Sequence, residues 1–173
     1  MAIEIRPAVP EDAALYNRFF RELLNQTRFM MLSADEYRRS DQEMQIVFRK
    51  FAEHDNHLFL LSMDEAGVTG FLSVAGGAAK KNWGNGYVAM GLLRRSQGQG
   101  IGAALFEHAE QWAAVAGLWR LELTVMADNQ PAQCLYRKRG FEVDGVKRRS
   151  LRMDGCWIDE LLMSKLIEVR SSS

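Results

Sequence analysis

The sequence predicts a single α/β (α+β) domain built on a mixed, mostly antiparallel sheet flanked by helices, and three observations carry that reading. Short apolar runs separated by turn residues mark hairpins over 58–74 and 141–166. An apolar stripe of helical period runs through 101–117. Strand, helix and strand alternate twice between 87 and 153, which demands some parallel pairing within an otherwise hairpin-built sheet. A chain of 173 residues suits one hydrophobic core, taken here as 1–170, with the serines of 171–173 as a disordered tail.

The elements follow in order. Ile3 and Ile5 alternate with Glu4 before Pro7, giving a short first strand. Pro10, Glu11 and Asp12 suit a helix's first turn, and Leu15, Phe19 and Leu23 give that helix a buried face. Ser33 and Glu36 stand at capping-box spacing and predict a second helix from Ser33 to residue 53, through Tyr37, Met44, Phe48 and Phe51, with a break near Ser40. Strands over 58–63 and 68–74 are joined at 64–67, and the glycine-rich stretch 76–86 reads as a loop. A fourth strand spans 87–93, with Val88, Met90 and Leu92 on one face. The helix from Ile101 carries Leu105, Ala109, Trp112, Ala113 and Ala116 and stops at Gly117. A fifth strand, 118–126, alternates Leu121, Leu123 and Val125 with Glu122 and Thr124. A short helix, 130–139, ends at Gly140, and strands 141–153 and 156–166 turn at Asp154-Gly155.

Composition excludes several classes. Twenty-two basic residues balance 22 acidic ones, so no net field draws the chain to nucleic acid or to an anionic membrane, and neither partner is expected. No export signal or membrane-spanning run is visible, and Cys134 and Cys156 lack any zinc or redox spacing, so a reducing cytoplasm is expected. His54 and His57 have no companion ligands, and no metal is expected.

The chemistry concentrates where the fourth strand runs through a glycine loop into a helix. A helix start offers unpaired N–H groups and partial positive charge, and Gly98, Gly100 and Gly102 give an anion room to approach. Glycines alone equally make a tight turn; the strand, loop and helix order is what favours anion binding. A phosphate-binding P-loop would need Lys and Ser or Thr after the last glycine, where this chain has Ala103 and Ala104. A dinucleotide fold would place such a loop near the start of a parallel sheet.

Gln97, Gly100 and Gly102 fit a Q/R-x-x-G-x-G/A signature, and Asn129, Ala132, Leu135, Tyr136, Gly140 and Phe141 fit N-x-x-A-x-x-L-Y-x-x-x-G-F further on. With these two motifs in this order, the sequence resembles the GNAT superfamily of acyl-CoA-dependent N-acyltransferases over nearly its whole length. The resemblance implies a mixed sheet whose central parallel strands, the fourth and fifth, splay apart to admit pantetheine. It implies that backbone N–H groups of Gln97, Gly98, Gln99, Gly100, Ile101 and Gly102 hold the pyrophosphate of coenzyme A, with Leu92, Leu93 and Asn129 also against the cofactor. Tyr136 would protonate the departing thiolate. Asn129 equally suits the cap of the following helix, and Tyr136 equally suits a core position.

The attacking amine must also lose a proton. Members of the superfamily often carry an acid on the fourth strand, and 87–93 has none. Glu122 is the first alternative, with a salt-bridged strand residue weighing equally; Asp159 and Glu160 follow. Arg137, Lys138 and Arg139 read as a solvated face. Arg28, Met30, Met31 and Tyr37 line the amine pocket or pack the core. The expected activity is direct transfer of acetyl from acetyl-CoA to a primary amine of a small molecule or peptide, with a non-catalytic acyl-CoA sensor as the alternative. A homodimer through sheet edges accords with the resemblance.

Overall fold

The computed structural model describes residues 2–169, so the tail expected at 171–173 lies outside the described residues. The first strand is β1 (Glu4–Pro7). A 3₁₀ turn, Pro10–Asp12, leads into α1 (Ala13–Gln26). The buried Asp12 accepts the Val9 N–H at 2.8 Å and two Arg6 guanidinium bonds at 2.8 Å, which pins the strand to the helix start. Arg6 holds its carboxyl below the usual carboxylate range.

The second helix, α2 (Asp41–Glu53), starts later than the sequence suggests. Ser33 and Glu36 do bond as a capping pair, but they close an isolated turn. The working cap is Ser40, whose hydroxyl accepts the Glu43 N–H at 3.2 Å while Glu43 accepts the Ser40 N–H at 2.7 Å. Ser40 is extended, with φ −76° and ψ 165°, so helix cannot continue through it. The choice is tertiary: buried Asn17 accepts the Tyr37 hydroxyl at 2.6 Å and donates to Asp41 at 2.7 Å, fixing the segment on both sides of Ser40.

The remaining elements are β2 (His57–Asp64), β3 (Gly67–Gly76), β4 (Asn85–Leu92), α3 (Ile101–Ala116), β5 (Arg120–Met126), α4 (Gln130–Lys138), β6 (Glu142–Met153) and β7 (Cys156–Leu166). They form a seven-stranded sheet in the order β1-β2-β3-β4-β5-β7-β6. Asp154 and Gly155 both take positive φ, as a two-residue hairpin turn requires. Among the described residues the one parallel contact is β4 with β5, and it stops after Asn85↔Arg120, Gly86↔Leu121 and Tyr87↔Glu122. Beyond it, β4 stays paired to β3 as far as Leu92 and β5 to β7 as far as Met126. Each strand is held from its outer side only, so a wedge opens between them.

The sheet divides two apolar clusters. Leu105, Phe106 and Ala109 of α3 pack with Leu121, Leu123, Val125 and Tyr136 on one face. Tyr16, Phe20 and Leu23 of α1 pack with Met44, Phe48, Phe59 and Phe71 on the other. Strand β2 shows the split residue by residue, with Leu58 and Leu60 in the first cluster and Phe59 and Leu61 in the second. Among the described residues no helix is long and apolar enough to cross a membrane.

Candidate active site

The glycine loop sits at the mouth of the wedge. Gly98 and Gly100 have φ of 71° and 80°, and a Cβ at either would meet open space, so both are required by the backbone turn. Gly102 differs: a Cβ there would lie 2.9 Å from Leu135 and 3.4 Å from Leu92, so this glycine lets α3 approach α4 and β4 closely. Gly100 precedes α3 with no side-chain cap. Among the described residues, the N–H groups of 98–103 have no backbone acceptor, whereas the Gln97 N–H already donates to the Arg94 carbonyl at 3.2 Å. The free donors therefore begin at Gly98, one residue later than the sequence suggests. The exposed side chains of Gln97 and Gln99 fold back on the loop, donating to the carbonyls of Leu92 at 3.3 Å and Arg95 at 2.7 Å. Leu92 packs with the α3-side cluster, while Leu93 is buried with the α1-side cluster and can offer the wedge only its backbone.

Tyr136 of α4 is buried in the α3-side cluster. Its ring lies edge-on to Phe106 at 5.7 Å and tilted to Phe141 at 6.1 Å. Burial, with the neighbouring Tyr87 phenol, pushes its pKa up to about 12, so the group carries its proton throughout the neutral range. Asn129 caps α4 by accepting the Ala132 N–H at 3.3 Å. Gln133, which the sequence did not mark, is buried and donates to the carbonyls of Met126 at 3.2 Å and Ala127 at 2.9 Å, tying α4 to the end of β5.

The chain matches the family model described as the acetyltransferase (GNAT) family over residues 17–141. It belongs to the GNAT acetyltransferase family. A GNAT-family acetyltransferase from Streptococcus pneumoniae is 33% identical, with a TM-score of 0.92 over 96% of this chain and 99% of that one. A phosphinothricin acetyltransferase from Sinorhizobium meliloti, solved with acetyl-CoA, shares the fold at 21% identity, with a TM-score of 0.82 over 96% of this chain and 89% of that one. An L-amino acid N-acetyltransferase of Escherichia coli is 32% identical over 84 residues, 49% of this chain and 44% of that protein. The match therefore spans less than half the length of that curated relative.

In this GNAT protein the remaining sequence candidates fall in several places, and Glu122 takes the salt-bridged role that the sequence weighed equally with that of a base. Glu122 lies opposite Tyr87 where the wedge begins, but it accepts from Arg120 at 2.9 Å, and Arg120 also holds Asp144 at 2.6 Å. Asp159 accepts the Arg149 N–H at 2.7 Å, and the buried Glu160 lies 3.6 Å from Lys147. Arg139 is half-buried and pairs at 2.6 Å with Glu110, which also holds Lys165 at 3.0 Å, while Arg137 and Lys138 are exposed. Tyr37 belongs to the core, and Met31 is 68% exposed. Met30 lies by Gly91 of β4, and Arg28 pairs with Asp128 beyond the end of β5. Among the described residues no group of three or more His, Cys, Asp and Glu is placed to share a metal. The His54 and His57 rings lie tilted to one another with centroids 4.7 Å apart.

Tyr87 is the residue that sequence reasoning missed. Its hydroxyl shares a 2.8 Å hydrogen bond with Thr124 of β5, a contact that only the parallel register creates.

Proposed function

We propose that this chain transfers an acetyl group from acetyl-CoA to the primary amine of a small molecule of the amino-acid class, by direct attack and without an acyl-enzyme. The observation that carries the reading is the wedge between β4 and β5 with unpaired N–H donors just before α3, and the buried Tyr136 phenol on the α3 side supports it. The donors of Gly98, Gln99, Gly100, Ile101 and Gly102 suit the pyrophosphate, and helix α3 adds partial positive charge. The free edges of β4 and β5 suit the pantetheine amides, which a closed sheet would exclude. Tyr136 then protonates the thiolate as the tetrahedral intermediate collapses. Cys134 and Cys156 are both exposed and lie on α4 and at the β6–β7 turn, so neither is offered as a nucleophile. The amino-acid preference is taken from the curated relative. Two unpaired cysteines suit a reducing cytoplasm.

Thermal unfolding with and without acetyl-CoA, followed by CoA release against a panel of L-amino acids and phosphinothricin, tests the reading. A ligand at a hundredfold its Kd adds about 2.7 kcal/mol, which raises the midpoint by roughly 5 to 11 °C at this size. Stabilisation with amine-dependent CoA release is expected. Stabilisation without release against any amine favours an acyl-CoA sensor, and no stabilisation refutes the site.

A further inference from the structure

We propose that the Tyr87 and Thr124 hydroxyls together seat the attacking amine, on the face of the sheet opposite Tyr136. The inference rests on the acetyl-transfer reading above and adds the acceptor-binding groups to it.

Register sets the direction of both side chains. Val88 lies in the α3-side cluster, so its neighbour Tyr87 points to the α1 side; Leu123 and Val125 likewise lie in the α3-side cluster, so Thr124 between them points to the α1 side. Tyr87 belongs to the last parallel pair, and its ladder partner is Glu122. Its hydroxyl nevertheless bonds two residues further along β5, at Thr124, so the phenol leans into the wedge where the strands have parted. Tyr87 is 44% exposed, which leaves it open to a ligand arriving from the α1 side.

Capacity for a third partner follows from the chemistry of the groups. Two hydroxyls joined by one hydrogen bond retain one proton and several lone pairs. Glu122, the ladder partner of Tyr87, is occupied by Arg120. A neutral amine needs an acceptor for its N–H so that its lone pair can face the thioester carbon, and the hydroxyl pair supplies one. The proton count closes. The ammonium first gives one proton to solvent; the N–C bond then forms, and the C–S bond breaks as Tyr136 protonates the sulfur. The nitrogen releases its second proton to solvent by way of the hydroxyl pair, and Tyr136 is reprotonated from solvent. The net result is amide, free thiol and one proton released.

The test compares wild type with Tyr87→Phe, Thr124→Val and Thr124→Ser, measuring acetyl-CoA stabilisation and amine kinetics with the L-amino acid and phosphinothricin panel. Tyr87→Phe and Thr124→Val are expected to lower kcat/KM for the amine about tenfold while the acetyl-CoA-induced rise in midpoint is unchanged. The double variant should be little worse than either single one, because each hydroxyl positions the other. Thr124→Ser, which keeps the hydroxyl, should restore most of the loss. Active wild type with unaltered Tyr87→Phe and Thr124→Val overturns the inference and leaves acetyl transfer standing. Loss of acetyl-CoA stabilisation in both also overturns it, since the bond would then be a tie between strands. A wild type that releases no CoA with any amine overturns both readings.

Discussion

Arg28, just past the end of α1, forms an ion pair with Asp128, just past the end of β5, joining positions 100 residues apart in the chain. The pair draws the segment between α1 and α2 toward the open end of the wedge. Arg28 also lies over the Phe29 ring at 4.4 Å, which orients the guanidinium. Both partners are about half exposed, so the pair should contribute roughly 0–1 kcal/mol to stability. Asp128→Ala is therefore expected to leave the thermal midpoint nearly unchanged while raising KM for the amine severalfold. The same rise should appear in wild type when salt is increased. An unchanged KM would show that the pair does not govern the acceptor side.

Tyr136→Phe should reduce turnover on the order of a hundredfold with little change in acetyl-CoA affinity. Because the phenol titrates near 12, wild-type kcat should show no alkaline fall from its ionisation below about pH 11. Stopped assays from pH 6 to 11 on both proteins check this; wild-type turnover in the variant would remove Tyr136 as the acid.

The glycines of the loop should separate by mechanism. Gly100→Glu sets a carboxylate beside the anion donors and should abolish stabilisation by acetyl-CoA, while the fold survives because a Cβ there meets nothing within 4 Å. The positive φ of 80° adds a strain cost of about 1 kcal/mol, which Gly100→Ala measures separately. Gly102→Val instead crowds Leu135 and should cost about 1–3 kcal/mol of stability through overpacking.

Asp12→Asn leaves the Arg6 guanidinium without its anion and should cost about 1–3 kcal/mol, read by chemical denaturation at pH 7. The folded carboxyl titrates below its ordinary value, so its contribution is fully present above the unfolded pKa and is lost as pH falls through the folded one. The difference between wild type and variant should therefore shrink progressively below pH 4. A difference that persists unchanged to pH 2 would mean the ionised pair is not its source.

Ser40→Ala should destabilise by about 1 kcal/mol, and Ser33→Ala by less, because only Ser40 begins a helix. Equal losses would contradict the cap assignment.

These two serines also show where the sequence stopped being legible. Ser33 and Ser40 are each followed three residues later by Glu, so local chemistry offers two equivalent helix starts. The Tyr37 hydroxyl donating to Asn17, and Asn17 donating to Asp41, select the second, and their shared partner Asn17 lies on α1, far from both serines in the chain. Elements fixed by their own residues were readable: the α3 stripe, its stop at Gly117 and the Asp154-Gly155 turn. The position of the glycine loop between β4 and α3 was readable from the order of strand, glycines and helix. The Tyr87 to Thr124 contact was not, because it depends on how far a parallel pairing between distant segments extends before it fails. The engagement of Glu122 by Arg120 follows from two residues sharing a strand face, and alternation alone could have revealed it.

The sheet keeps two apolar clusters apart that have no residue in common. Substitutions in well-separated places contribute nearly independently, typically when more than about 7–10 Å apart. A cavity opened on one side of this wall should therefore leave the packing on the other side nearly as it was.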